Sequence, residues 1–263
     1  MLILLPPSEG KATGVDGPPL ELGALSLPEV TSARQAVLDA LDALCTGPDA
    51  TAREVLGLPP GDRDALERDR ALSDAPTLRA ADLYTGVLYD HLKLPALLDG
   101  ATAAAAASSV LIFSGLWGVV GPADRIPPYR LSMGVRLPPL GPLGAFWRGR
   151  LTDLLTKRAD GELLVDCRSA TYAAAFKPAH PVSERTVAVR VVRETADGTT
   201  VRRTVVSHMA KATRGAIAHS LLTAGASPTT PAELADALND LGHRSELTPP
   251  AARNRPHTLT VVE

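Results

Sequence analysis

Aromatic residues are scarce. The 263-residue chain has three Phe, two Trp and four Tyr, 3% in all, so its core must be mostly Leu, Val, Ala and Ile. Its two cysteines, Cys45 and Cys167, are far apart and outside any CxxC pattern, which excludes a disulfide scaffold and a cysteine-rich zinc site. No apolar run reaches membrane-spanning length; Ala101 to Ala107 is short and is followed by Ser108-Ser109. The start, Met1 to Pro7, has no basic region and is too short for a signal peptide. A cytoplasmic protein without membrane attachment is expected. Neither sign of charge dominates: 27 Lys and Arg face 29 Asp and Glu, a net charge of −2. No global basic field exists, and nucleic-acid binding would need a local patch. The six histidines form no HxH, HExxH or Cys/His pair at ligand spacing, so no metal and no cofactor is expected. Against these gaps stand 45% hydrophobic and 21% charged residues, the balance of a globular chain.

Leu2 to Leu5 reads as a buried strand ending at Pro6-Pro7, and Ser8 to Pro19 as a Gly/Pro loop. From Pro28, apolar residues at three- and four-residue spacing predict a helix that stops at Gly47-Pro48. Short helices are expected over Thr51 to Leu56 and Asp62 to Leu72, the second capped by Asp62. Arg79 to Leu98 reads as helix broken around Gly86 and Pro95. Val110 to Phe113 and Leu163 to Val165 read as strands, Ser114 to Pro128 as a loop, and Tyr129 to Leu137 as partly extended. Leu143 to Arg158 and Arg168 to Phe176 read as helices. Thr186 to Thr195 and Thr199 to Ser207, around Ala196-Asp197-Gly198, form the clearest hairpin. Helices over Met209 to Ala224 and Pro231 to Leu241, a loose tract over Glu246 to Pro256 and a closing strand over Thr258 to Val262 complete the pattern. The class is α/β or α+β: one compact domain over residues 1–263, with a mixed central sheet and flanking helices.

Five segments carry possible chemistry. Pro7-Ser8-Glu9-Gly10-Lys11 follows the first strand, where α/β proteins place ligands. Lys11 supplies a point charge, and Gly10 allows close approach. The segment lacks the P-loop pattern, so a solvated loop is the alternative. In Leu83-Tyr84-Thr85-Gly86, Tyr84 is either a hydrogen-bond donor to a ligand or a partly buried tyrosine at a helix break. Arg130 and Arg136 are six apart and share one face of an extended segment. They suit a carboxylate or phosphate, or else bond backbone carbonyls. Asp166-Cys167-Arg168-Ser169 stands at a strand-to-helix switch. Ser169 is a candidate hydroxyl or a helix cap, and Cys167 beside Arg168 is either activated or core. Lys211 and Arg214 share a helix face; in the first turns they oppose the helix dipole, which is an argument for an anionic partner, and a solvated basic face is the alternative.

Taken together these segments resemble the YaaA family of peroxide stress proteins. The N-terminal strand with PPSEGK, then LYTGVLYD, SGLWGVV, IPPYRLSMGVRL, FWRGRLTDLL, VDCRSATYAAAF and HMAKATRG run in the family's order from Met1 to about Leu222. The resemblance implies a single α/β domain of unusual topology, a cytoplasmic location and a role in surviving hydrogen peroxide by lowering free iron. It also implies duplex DNA binding through a positively charged cleft and a helix-hairpin-helix-like element. Residues 51–72 are the candidate for that element, with Arg53, Arg63, Arg68 and Arg70 nearby and five acids offsetting them; an ordinary helical hairpin is the alternative. One departure is Gly121, where the family usually has an arginine before Pro-x-Asp.

Two functional readings result. In the first, Lys11, Arg130, Arg136, Arg168, Lys211 and Arg214 line a cleft that binds duplex DNA by phosphate contacts without base specificity. In the second, an enzyme acts on a small anionic substrate, a nucleotide or carboxylate, in the same cleft, with Lys11, Tyr84 and Ser169 as acid–base candidates. Neither needs an obligate protein partner. Shape discriminates: a closed, ligand-sized pocket favours the enzyme, and an open groove favours DNA. An iron-handling protein without catalysis is a third reading, which predicts a dispersed carboxylate and histidine site.

Overall fold

The computed structural model describes residues 1–14, 16–62, 64–197, 200–205 and 207–263. Strand β1, Leu2–Leu5, is buried along its whole length, as a strand covered on both faces must be. Helices α1 (Thr31–Thr46), α2 (Asp49–Leu56) and α3 (Ala65–Arg70) follow. A two-residue strand, β2 (Leu78–Arg79), leads into four short helices, α4 (Ala80–Leu83), α5 (Val87–Leu92), α6 (Leu94–Asp99) and α7 (Ala103–Ser109). Strands β3 (Val110–Ser114) and β4 (Gly118–Val120) form a tight antiparallel pair. The minor strands β5 (Arg125–Ile126), β6 (Arg136–Leu137) and β7 (Gly141–Pro142) precede α8 (Leu143–Arg158). Then come β8 (Leu164–Asp166), α9 (Ala170–Ala173), β9 (Thr186–Asp197), β10 (Thr200–Thr204), α10 (Ser207–Thr223), α11 (Pro231–Asp240), β11 (Ser245–Thr248) and β12 (His257–Val262).

The main sheet has the order β11-β12-β9-β8-β1-β3-β4, with β10 on the far end of β9. Its five inner strands are parallel, and β4, β10 and β11 are antiparallel additions. Helices flank this sheet around one core. The chain leaves β1 to pair β3 on one side and later returns to pair β8 on the other. This is a topological switch point, and the carboxyl ends of β1, β3 and β8 open there onto one crevice.

Several local expectations shift. The third helix begins after Asp64, not at Asp62. Asp62 instead turns back on Pro59, pairs with Arg68 at 3.0 Å and accepts the Arg53 guanidinium on its carbonyl. Pro95 does not break a helix; it opens α6, and the break is Lys93 with φ 53°. Arg168 to Phe176 is helical only over Ala170–Ala173, because the Asp166 carboxylate bonds both the amide and the guanidinium of Arg168 and fixes a turn. The tract Glu246 to Pro256, expected to be loose, overlaps β11, and the loop after β3 contains β4. The hairpin is present, though Gly198 and Thr199 at its tip lie outside the described residues.

A candidate ligand site at the carboxyl ends of the strands

The loop after β1 is zipped to the segment before α5. Lys11 forms a β-bridge with Tyr84, Ala12 N donates to Leu83 O at 2.8 Å, and Thr85 N donates to Gly10 O at 3.2 Å. The Ser8 hydroxyl donates to Thr85 O. Glycine at position 10 is dictated by this approach: a Cβ there would stand 2.9 Å from Thr85 Oγ1. The two segments reach the crevice as one wall.

Behind that wall lies a chain of three hydroxyls. Ser114, at the end of β3, accepts the amides of Leu116 and Trp117 and stands 2.6 Å from the Tyr129 hydroxyl, which stands 2.9 Å from that of Tyr84. Tyr89 packs 5.3 Å from Tyr84 and donates to Pro6 O, while Tyr172 lies close enough to perturb Tyr84, Tyr89 and Tyr129. All four tyrosines of an aromatic-poor chain thus gather at the switch point. Burial pushes the phenols of Tyr84, Tyr89 and Tyr129 well above their ordinary value, so they act as neutral hydroxyls and not as bases.

Lys11 adjoins this chain. Its amine stands 4.3 Å from the centre of the Tyr129 ring and donates to Ser8 O at 3.1 Å. Desolvation, helped by Arg130 and Arg68 and opposed by Asp69 and Glu9, lowers its pKa to about 7. Asp69, only 2% exposed, accepts the Arg130 amide on Oδ1 at 2.8 Å, while its Oδ2 is buried without a partner. Burial pushes that carboxyl up to about 7, against the pull of Lys11 and Arg68. In the sequence Asp69 counts only as one of the five acids offsetting the arginines of residues 51–72, and nothing in its spacing marks it for burial. The Arg130 side chain is 3.6 Å from Glu9 and 3.7 Å from Asp62, so two acids already share its charge.

A cavity of about 430 Å³ opens beside the loop after β1. Ser8, Ser132, Ser169, Thr171, Tyr89 and Tyr172 are among the residues that line it, and Lys211 and Arg214 of α10 supply positive charge. Ser169 occupies the cap position of α9, but its side chain makes no capping bond. Arg214 is steadied by a 3.0 Å bond to Val189 O, and its Nε is buried without a partner. Lys211 is exposed at the rim. Helix α10 comes this close because of Gly215, where a Cβ would stand 2.1 Å from Leu88 O.

Of the six cations expected to converge, Lys211 and Arg214 line the cavity, and Lys11 and Arg130 lie behind its wall. Arg168 is buried, bound to both oxygens of Asp166 at 2.8 and 2.6 Å, and stacked on Phe113. Arg136 is exposed on β6, which packs near α2, and is not part of the cavity lining. Cys167 is core: burial raises its thiol to about 12 despite Arg214, so it is not an activated nucleophile. In the helical pair α2–α3, Arg53 bonds Pro59 O and Asp62 O, Arg68 pairs with Asp62, and Arg70 bonds Cys45 O and Asp49; Arg63 lies outside the described residues. Gly121 would carry a Cβ 2.9 Å from Ser26 Oγ. Its amide bonds Asp124, which also holds Ser26.

The family model of peroxide stress protein YaaA matches residues 1–246. The chain belongs to this family. A UPF0246 protein of Streptomyces coelicolor is 51% identical over 262 residues, covering 100% of this chain and 98% of the relative. A UPF0246 protein of Corynebacterium efficiens is 40% identical, with 100% of both chains covered. The family match takes in every segment that lines the cavity. Among the described residues no group of three or more His, Cys, Asp or Glu side chains is placed to hold a metal ion, and no helix is long and apolar enough to cross a membrane.

Proposed function

We propose that this member of the peroxide stress family acts on, or senses, a small anionic ligand bearing a phosphate or carboxylate, taken up in the cavity at the strand ends. One observation carries the reading: a concave space of about 430 Å³ with Lys211 and Arg214 on one helix and hydroxyls around them. That volume suits a single small molecule. A guanidinium and an ammonium on adjacent turns grip an anion, and hydroxyls complete its hydrogen bonds. The Ser169 hydroxyl, free of a capping bond, is available to the ligand.

Binding of duplex DNA, with limitation of iron-dependent damage in the cytoplasm, is the second reading. It rests on the resemblance and is favoured by the exposed Lys211 and Arg136. Fewer cations support it than expected, since Arg168 is neutralised by Asp166 and Arg130 is shared by Glu9 and Asp62. The two readings separate in one experiment. Binding of a labelled duplex is followed against salt, with inorganic phosphate, a nucleoside monophosphate and small carboxylates as competitors. The first reading predicts thermal stabilisation by one of the small anions, lost in Arg214→Ala, and weak duplex binding. Tight duplex binding would instead favour DNA, provided that its steep salt dependence becomes shallower in Lys211→Ala/Arg214→Ala and that no small anion stabilises the protein.

A further inference from the structure

We propose that the ligand of the cavity is a sugar phosphate with a free vicinal diol, its phosphate held by Lys211 and Arg214 and its diol by the carboxylate of Glu9. This names the ligand class of the small-anion reading above and rests on that reading.

An acid stands in a cavity suited to an anion. Glu9 lines the space together with Lys211 and Arg214, and its side chain is 84% exposed. Towards a bare anion such as phosphate that carboxylate is purely repulsive. A ligand that fills the whole space must therefore present hydrogen-bond donors to it. An ionised carboxylate has two acceptor oxygens and no donor, and two adjacent hydroxyls match that pair. An acidic residue grips a ribose hydroxyl in this way in dinucleotide-binding sheets. An ammonium is the other donor to weigh, and the surroundings disfavour it. The Arg130 guanidinium stands 3.6 Å from the Glu9 carboxylate, too far for a good hydrogen bond but near enough to repel a second cation. The Lys11 amine, at 3.5 Å from Glu9 O, adds to that field. Neutral hydroxyls meet no such repulsion.

Strand order keeps the two ends apart. Leu4 of β1, Asp166 of β8 and Ala188 of β9 stand side by side in one row of the sheet. Arg214 is tied to the next residue of β9, Val189, whereas Glu9 belongs to the loop after β1. The two anchors are therefore two strand spacings apart, about 10 Å at the backbone. Both side chains extend from those anchors, which leaves between them the length of a pentose phosphate and not that of inorganic phosphate alone. Ser169 and Thr171 follow β8, the strand between, and line the same space, so their hydroxyls are placed for the middle of the ligand. Tyr172 is near enough to Glu9 to feel its charge, and an aromatic ring there offers an apolar face to the C–H groups of a sugar. Free sugar phosphates and nucleoside monophosphates share this phosphate and diol, and the test below separates them.

The test is isothermal titration of the full chain with inorganic phosphate, ribose 5-phosphate, 2-deoxyribose 5-phosphate and adenosine monophosphate. The proposal predicts that ribose 5-phosphate binds at least about tenfold tighter than either 2-deoxyribose 5-phosphate or inorganic phosphate, since a hydroxyl on a carboxylate is a strong bond to lose. Glu9→Gln, a change of charge at an exposed side chain, should erase the preference for ribose over deoxyribose and leave inorganic phosphate bound no more weakly. A merely structural role for Glu9 would weaken all four alike. Arg214→Ala should weaken all four. Adenosine monophosphate binding at least as tightly as ribose 5-phosphate identifies a nucleotide as the ligand, and weaker binding identifies a free sugar phosphate. Equal affinity for the ribose and deoxyribose compounds, or their equal loss in Glu9→Gln, overturns the diol while the Arg214-dependent anion reading stands. If no phosphate compound binds, the proposal falls, and the anion reading is left to the carboxylates.

Discussion

Asp69 has one oxygen bonded to the Arg130 amide and the other buried without a partner, and this has a measurable consequence. Its carboxyl is raised from 3.8 to about 7. Between those values the native state binds a proton that the unfolded chain does not, so its contribution to stability falls as pH rises. Lys11 is lowered from 10.5 to about 7; between those values the unfolded chain binds the extra proton, and stability rises with pH. Asp69→Asn removes the first effect and, by taking away an acid that favours the Lys11 charge, pushes the Lys11 amine further down, which also moves stability in the variant's favour as pH rises. From pH 4 to pH 8 the difference in stability should move in the variant's favour by on the order of 1–3 kcal/mol, read from urea midpoints. A difference independent of pH would contradict the burial argument. Ser114→Ala should cost about 1–3 kcal/mol by leaving the Leu116 and Trp117 amides and the Tyr129 hydroxyl short of a partner; an unchanged urea midpoint would show that water replaces it. Residue type alone singles out Lys211, Arg214 and Ser169, which line the cavity, and Lys11, which does not. It failed for Arg168, whose neutralising acid stands two residues earlier, and for Asp69, whose burial comes from packing remote in sequence.

Helix α10 meets α5 through Gly215, where the backbone of Leu88 leaves no room for a side chain. Gly215→Ala places a methyl 2.1 Å from Leu88 O and should destabilise the fold by about 3 kcal/mol. Gly149→Ala is the control: it lies in α8 with open space around it, and should stabilise by roughly 0.5–1 kcal/mol. Denaturant midpoints of the two variants decide, and equal shifts would refute the close-packing account. Elements marked by an apolar run or a stop signal were legible: β1 and β3 fall on their apolar runs, α1 ends before the expected Gly47, and β9 pairs with β10, although β9 runs on through Ala196 and Asp197, which the sequence puts in the turn. The strands β4 and β11 were not. Gly118–Val120 is too short to show a period, and Ser245–Thr248 is a half-exposed edge, so partner strands rather than local sequence specify both.

At the scale of the whole molecule, the site follows from strand order. Only because β3 and β8 flank β1 on opposite sides do loops from three distant parts of the sequence meet above it. Spacing within a motif cannot reveal that, which is why Arg130 and Arg136, on one face of an imagined strand, part company in the fold. The central claim is that this crevice holds a small anion. Isothermal titration of the native chain with a nucleoside monophosphate, inorganic phosphate and a short keto acid tests it most directly, with Lys211→Ala/Arg214→Ala as comparison. The account predicts a one-to-one complex with one of these anions, tighter than about 1 mM, and at least tenfold weaker in the variant. No heat for any of the three, or equal affinity in native chain and variant, would contradict it.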